Sequence, residues 1–318
     1  MLLIGFNRPQ ATIQSLKTIV EFCHKFSNID VIVSIDGPRK DNAEDMCNQI
    51  KFDQEFGKLV HQSKVTIWRH LFNLGVDIHI PFAVSKVFHD FDGVIVLEDD
   101  IQFSETTLHS MANRLDSSIL EGDISPVIGI SAIAFPFARL FFFKNKWRES
   151  IYFSAWGYAL TKQFWQVHES RITNSKNEKN LSLDSEHWQK LSSRKKRLWA
   201  DRLQRNNYDY QIQLTMLKYG ISSIVPRFRI TRNLGFQEVN ATNTRFKQPL
   251  FMRVKNTDHG IIETKLVSKK HTAIDRFWNW LDSNTWAGDG LMSTRGRTIG
   301  LRTAAKGVLR SFNVFNKV

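Results

Sequence analysis

The sequence predicts an α/β domain built on a mostly parallel sheet with helices on both faces, and three observations carry that prediction. Short apolar runs rich in β-branched residues recur at 2–6, 31–35, 65–68 and 94–97. Between them lie longer stretches with apolar residues at helical spacing, such as Ile13, Leu16, Ile19 and Val20. Strands alternating with helices at this interval form right-handed crossovers and a sheet buried on both faces. The 318 residues, 42% hydrophobic and 24% charged, are enough for one large domain, expected over 1–265, followed by a distinct extension over 266–318.

Taken in order, the first strand ends at Asn7-Arg8-Pro9, where the fixed φ and missing donor of Pro9 suit the first turn of a helix. The second strand, 31–35, ends in Asp36-Gly37-Pro38-Arg39, and a helix is expected over 42–59. After the strand at 65–68, the turn signal Asn73-Leu74-Gly75 precedes a helix expected over 80–89. The strand at 94–97 runs without a break into Glu98-Asp99-Asp100. A helix over 105–120 and a strand over 127–130 follow, and the phenylalanine-rich stretch 135–143 reads as packing. Residues 176–196 read as a loop and an exposed basic helix. The next helix opens at Tyr208-Asp209-Tyr210-Gln211 and is stopped by Tyr219-Gly220. A strand over 222–225 and the turn 233–236 complete the domain.

In a parallel sheet ligands bind beyond the carboxyl ends of the strands, and Asn7, Asp36 and Glu98-Asp99-Asp100 all fall there. Each has a plain alternative. Three adjacent carboxylates at a buried strand end suit a shared cation, for which hard oxygen ligands favour magnesium or manganese, or else form a solvated acidic turn. Asp36 is either a nucleotide-facing acceptor or a turn-former before Gly-Pro. In Tyr152 to Tyr158, aromatic residues alternate with small ones, which fits a sugar-stacking pocket at Trp156 and Gly157 or a buried strand and turn. Asp209, at a helix start, is a reactive acid or a dipole partner.

The formal net charge of +13 calls for an anionic partner. Two cysteines, Cys23 and Cys47, give no disulfide framework or zinc spacing and fit a reducing compartment. The opening apolar hexamer lacks the basic flank and length of a signal peptide, and no apolar run is long enough to span a bilayer, so a cytoplasmic location is expected. Beyond 266, Trp278, Trp280 and Trp286 cluster, and from 294 onward Arg295, Arg297, Arg302, Lys306, Arg310 and Lys317 meet no acid. Such a tail either lies on an anionic membrane surface or packs its tryptophans on the domain.

In this order, Phe6-Asn7-Arg8-Pro9, Ser34-Ile35-Asp36-Gly37-Pro38, Asn73-Leu74-Gly75, Leu97-Glu98-Asp99-Asp100, Ser154-Ala155-Trp156-Gly157-Tyr158 and Asp209-Tyr210-Gln211 resemble the nucleotide-sugar glycosyltransferases of the GT-A fold. The likeness is to bacterial family-2-like and N-acetylglucosaminyltransferase I-like enzymes, and it covers roughly residues 2–245. It implies a Rossmann-like domain that moves a hexosyl group from a nucleoside-diphosphate sugar, a UDP-sugar above all, to a saccharide or lipid-linked saccharide, as in polysaccharide biosynthesis. It also implies a divalent metal, Mn2+ or Mg2+, held by Asp100. On the same resemblance Asn7, Arg8, Asp36, Glu98 and Asp99 would contact the nucleotide. Trp156 and Gly157 would lie beside the sugars, and Asp209 would be the general base of an inverting transfer. One departure is Asn243, which stands in Ala241-Thr242-Asn243-Thr244 where the family pattern has a histidine. The rival readings are a nucleotidyltransferase, for which the glycine-rich, lysine-containing phosphate loop is missing, and a nucleic-acid-binding protein, for which no motif accompanies the charge. No nucleic-acid partner is expected.

Overall fold

The computed structural model describes residues 1–26, 28–60, 65–129, 147–175, 185–189, 196–197, 207–226 and 232–233, with positions 191, 193, 199 and 230. The strands are β1 (Leu2–Gly5), β2 (Val31–Ile35), β3 (Val65–Arg69), β4 (Gly93–Glu98), β5 (Ile101–Gln102), β6 (Val127–Ile128), β7 (Trp147–Ser150), β8 (Tyr158–Thr161), β9 (Ser223–Pro226) and β10 (Arg232–Asn233). Eight form one sheet in the order β3-β2-β1-β4-β8-β6-β9-β7, while β5 and β10 pair separately. Strands β1, β2, β3, β4, β6 and β9 share one direction, and β8 and β7 run against it. The expected α/β architecture with a mostly parallel sheet is therefore present.

The helices are α1 (Pro9–Cys23), α2 (Ala43–Val60), α3 (Val76–Asp90), α4 (Glu105–Glu121), α5 (Lys162–Ser175), the short α6 (Glu186–Gln189) and α7 (Tyr208–Tyr219). Strand alternation sorts them into two layers. Leu2, Ile4, Val94 and Val96 face one way and pack with Ile80 and Val84 of α3, Phe164 and Trp165 of α5, and Ile212 and Met216 of α7. Leu3, Val33, Ile95 and Leu97 face the other way, against Leu16 and Ile19 of α1, Phe52 of α2 and Met111 of α4. Both sheet faces are thus covered, which explains why the strands read as unbroken apolar runs.

Two elements differ from the sequence expectation in ways that matter for the site. Helix α3 begins at Val76 rather than near 80, because Gly75, at φ 77°, starts the helix and Pro81 lies inside it. That places Asp77 in the first turn. Strand β8 enters the sheet antiparallel beside β4, with Tyr158 opposite Val96, after a turn at Gly157 with φ 80°. The start of β8 consequently lies at the carboxyl end of β4. Phe135–Phe143, Asn243 and the basic tail over 266–318 lie outside the described residues. No helix among the described residues is long and apolar enough to cross a membrane.

Candidate active site at the carboxyl edge of the sheet

Strands β1, β2 and β4 end side by side, and backbone hydrogen bonds carry their register past the last strand residue. Asp36 N–H donates to Gly5 O at 3.0 Å, and Asp99 N–H donates to Ile4 O at 3.1 Å. The segments 6–8, 36–38 and 98–100 are thereby held on one edge.

Arg8 leads from β1 into α1, and its side chain turns back over the acids. Arg8 Nη1 lies 3.2 Å from Asp99 Oδ1 and 3.4 Å from Asp100 Oδ2, with the three side chains 24%, 8% and 15% exposed. The other Asp100 oxygen, Oδ1, is buried and has no hydrogen-bond partner. Burial raises the Asp100 pKa, and the Arg8 guanidinium opposes the rise.

Glu98 retains some residue surface, yet its carboxyl is enclosed. Tyr208, the first residue of α7, donates its hydroxyl to Glu98 Oε1 at 3.1 Å. Burial, chiefly, and then the Asp100 charge push Glu98 well above the usual carboxylate range, and Asp99 and Asp209 add to the effect. Asp209 follows Tyr208 in the first turn of α7, so it begins the helix next to the residue whose hydroxyl reaches Glu98. Tyr158 and Tyr208 are likewise raised, first by burial and next by the Glu98 charge. The start of α7 is anchored from α3, where Asp77 Oδ1 accepts Tyr208 N–H at 2.9 Å.

Asp36 has a different environment. It is 3% exposed. Its Oδ1 accepts from the backbone N–H of Gly37 at 2.9 Å and of Leu74 at 2.8 Å, and its Oδ2 accepts from Gly75 N–H and Asn73 Nδ2, both at 2.9 Å. A carboxylate offers about four lone-pair sites, and four donors take them. Asp36 therefore clamps the 73–75 turn to the end of β2 and forms a wall of the site. Asn7 is held against α2. Its carbonyl accepts Asn48 Nδ2 at 2.9 Å, and its side chain helps hold Asp45 below the usual carboxylate range, after the larger effect of the Arg39 hydrogen bond. Trp156 is half-buried and Gly157 buried in the turn that leads into β8, on the same edge.

Of the residues singled out in the sequence, Arg8, Asp99 and Asp100 are paired, Glu98 adjoins them and bonds Tyr208, Asp209 follows Tyr208, Trp156 and Gly157 lie on the same edge, Asp36 holds the 73–75 turn to it, and Asn7 bonds to α2. Tyr158, Tyr208 and Asp77 belong to the site but were not anticipated. Tyr158 closes the Ser-Ala-Trp-Gly-Tyr run and Tyr208 precedes Asp209, so position beside a motif was the available signal. A cavity of about 610 Å³ opens elsewhere, at the amino-terminal edge between Phe22, His109 and Leu115, and contains none of these groups.

Among the described residues no three histidine, cysteine or acidic side chains form a complete metal cage. Magnesium and manganese do not require one, since they commonly keep waters and bind through one or two carboxylates plus substrate phosphates. The unpartnered, buried Asp100 Oδ1 and the adjacent carboxylates fit such a cation.

No protein-family model matches the chain, and no curated protein matches it. Among solved structures it is similar to the mannosyltransferase PcManGT from Pyrobaculum calidifontis in complex with GDP-Man and Mn2+, at 12% identity over 68% of this chain and 69% of that one, with a TM-score of 0.35. It is also similar to an active-site mutant of LgtC, at 14% identity over 70% and 71% of the two chains and a TM-score of 0.32. The galactosyltransferase LgtC with donor and acceptor sugar analogues gives 13% identity over 70% and 72%, with a TM-score of 0.27. These structures are all glycosyltransferases.

Proposed function

We propose that this protein is a glycosyltransferase, moving a sugar from a nucleoside-diphosphate donor to an acceptor hydroxyl with inversion at the anomeric carbon. The feature that supports the reading is the start of α7, where Asp209 follows Tyr208, whose hydroxyl bonds Glu98 at the acidic end of β4, beside the paired Arg8 and Asp100. Such an arrangement separates the two tasks of the reaction. A leaving diphosphate needs positive charge, and an attacking hydroxyl needs a base.

Arg8 supplies one cationic partner for the diphosphate through charge-assisted hydrogen bonds. A divalent cation held by Asp100 would supply further charge compensation for the leaving group. Glu98 and Asp99 would accept from ribose hydroxyls, and Asp36 would keep the 73–75 wall in position beside the nucleotide. Asp209 takes the proton from the acceptor hydroxyl as its oxygen bonds to the anomeric carbon, and the bond from that carbon to the diphosphate breaks with its electrons on the phosphate oxygen. A single base and direct displacement give inversion. Trp156 and Gly157 flank the sugars, the indole as a stacking face and the glycine as an approach for backbone. A UDP-sugar is the first donor to test, and a lipid-linked saccharide reached through the tail is the acceptor reading that the charge favours.

The test begins with donor binding. A panel of nucleotide-sugars, with and without manganese, should raise the melting midpoint for one donor class. Asp209→Asn should then abolish transfer while calorimetric donor binding persists, and turnover near the wild-type rate would remove Asp209 from the mechanism. Asp100→Ala should lose the manganese-dependent part of donor binding. If that part survives unchanged, Asp100 is not the ligand.

A further inference from the structure

Arg8 and a divalent cation have claims on the same oxygens. In the chain as folded, one guanidinium nitrogen lies within 3.4 Å of both Asp99 and Asp100, and these side chains are largely shielded from water. Shielding makes the ion pairs matter, because a charge stripped of its partner there cannot be fully compensated by solvent. A cation arriving alone at Asp100 would have to share the carboxylates with Arg8 or displace it from them. If it arrives with a diphosphate, Arg8 gains a new acceptor of the geometry it binds best.

We infer that Arg8 is an exchangeable counter-ion, paired with Asp99 and Asp100 until a donor binds and then transferred to the donor diphosphate, so that metal and nucleotide bind cooperatively. The inference rests on the donor reading above and adds to it a binding order and a residue that sets it. Two features support the exchange. Asp100 Oδ1 is already without a hydrogen-bond partner, so a ligand position is prepared while its sister oxygen is on Arg8. The backbone of Arg8 is fixed at the start of α1, with Arg8 O accepting Thr12 N–H at 3.0 Å, so the exchange is a movement of the side chain alone. Linkage is reciprocal, so the factor by which nucleotide tightens the metal is the factor by which the metal tightens nucleotide.

The full chain is titrated with Mn2+ alone, with UDP or GDP alone, and with each in the presence of the other, by calorimetry and by the electron paramagnetic resonance signal of free manganese. In the wild type, Mn2+ alone should bind weakly and gain roughly 5- to 150-fold in affinity when nucleotide is bound. Arg8→Gln, with circular dichroism confirming the fold, should bind Mn2+ alone about tenfold more tightly than wild type, lose nucleotide affinity, and bring the coupling factor towards one. Arg8→Lys, which retains the charge without the fork, should fall between the two. Unchanged or weaker Mn2+ binding by Arg8→Gln, in a chain that still binds nucleotide, overturns the exchange and leaves the donor reading intact. Absence of binding by any nucleoside diphosphate sinks the donor reading and the coupling together.

Discussion

Removing the Asp36 carboxylate should damage the fold before it damages chemistry. Four donors converge on it, three of them backbone N–H groups that no other side chain of the turn can satisfy. A buried donor left without a partner costs roughly 1–3 kcal/mol. Four such losses do not simply add, because 73–75 are half-buried and water can reach part of the turn. We therefore expect Asp36→Ala to cost about 3–5 kcal/mol, a large fraction of the roughly 5–15 kcal/mol that holds a typical domain. Asp36→Asn is the sharper test. Its Oδ1 can still accept from Gly37 and Leu74, but its amide nitrogen meets the N–H of Gly75 and the Asn73 amide, two donors with nothing to accept them. Rotating the Asn73 amide would repair one clash at the expense of its 3.2 Å bond to Gly37 O. One to two donors remain orphaned, for a cost of about 1–3 kcal/mol. Urea unfolding followed by circular dichroism reads both values as midpoint shifts at constant slope. An Asp36→Ala cost below about 1 kcal/mol, or an Asn variant as stable as wild type, would refute the clamp.

The clamp also has a route to function. It fixes Gly75, which starts α3; α3 presents Asp77 to Tyr208 N–H; and Tyr208 reaches Glu98. Asp36→Asn should accordingly weaken nucleotide binding through this chain of contacts.

Two further perturbations probe the scaffold. At Gly37 an added Cβ would sit 2.5 Å from backbone N, C and O of Phe72, so Gly37→Ala should destabilise by about 3 kcal/mol, at the upper end of overpacking; a loss under 1 kcal/mol in the same unfolding assay would mean the 36–38 and 72–75 segments are not packed as described. His79, buried and bonded through Nε2 to Ser34 Oγ at 2.7 Å, has its pKa lowered to about 4, and His168, bonded to Thr215 Oγ1 at 2.7 Å, to about 3, in each case chiefly by burial. Both are neutral when folded while the unfolded chain protonates near 6.5, so their contribution is complete above that pH and is lost as pH falls from 6.5 towards 4. Glu98 and Asp100, whose pKa values are raised, act in the opposite sense as pH falls, so the test is the comparison with His168→Gln: the wild type should lose urea midpoint relative to the variant between pH 7 and pH 5, and a difference between the two chains that does not change with pH would contradict the burial of His168.

Much of the scaffold was legible because local signals agreed with the tertiary outcome. Strand β2 matches its expected 31–35 span, and α1, α2 and α4 begin or end within a residue or two of their caps and apolar faces. The less legible elements are those whose burial comes from partners rather than pattern. Strand β7, Trp-Arg-Glu-Ser, is polar and becomes a strand by pairing with β9 at the end of the sheet. Helix α5 carries His168 and Arg171 inward, where Arg171 is buried on Thr215 and Gln211 of α7 rather than on an acid, so its apolar periodicity is weak. In the site, an acidic run at a buried strand end announced itself. The work of Asp36 did not, since Asp-Gly-Pro reads alike for a ligand contact and a clamp, and the partners that decide it lie 37 to 39 residues further along. Nothing local marks Tyr158 or Tyr208 as a partner of Glu98, because that carboxylate is remote from both in sequence.

A basic chain with an acidic site sets a constraint on how an anionic donor can bind. Asp99 and Asp100 pair with Arg8, Glu98 precedes them at the end of β4, and burial raises the pKa values of Glu98 and Asp100. In their ionised form these carboxylates repel a diphosphate, and in their protonated form they do not. Without divalent cation, nucleotide binding should therefore strengthen as pH falls and protons neutralise the cluster. With manganese the dependence should reverse, because a cation and a proton compete for the Asp100 carboxylate and the metal prevails as pH rises. Calorimetric titration of UDP into the full chain between pH 5.5 and 8, once with chelator and once with manganese, reads the two slopes directly. Opposite signs are the expected result. Slopes of the same sign would mean that the carboxylates at the end of β4 do not lie beside the bound diphosphate, and the placement of the donor on this edge would have to be given up.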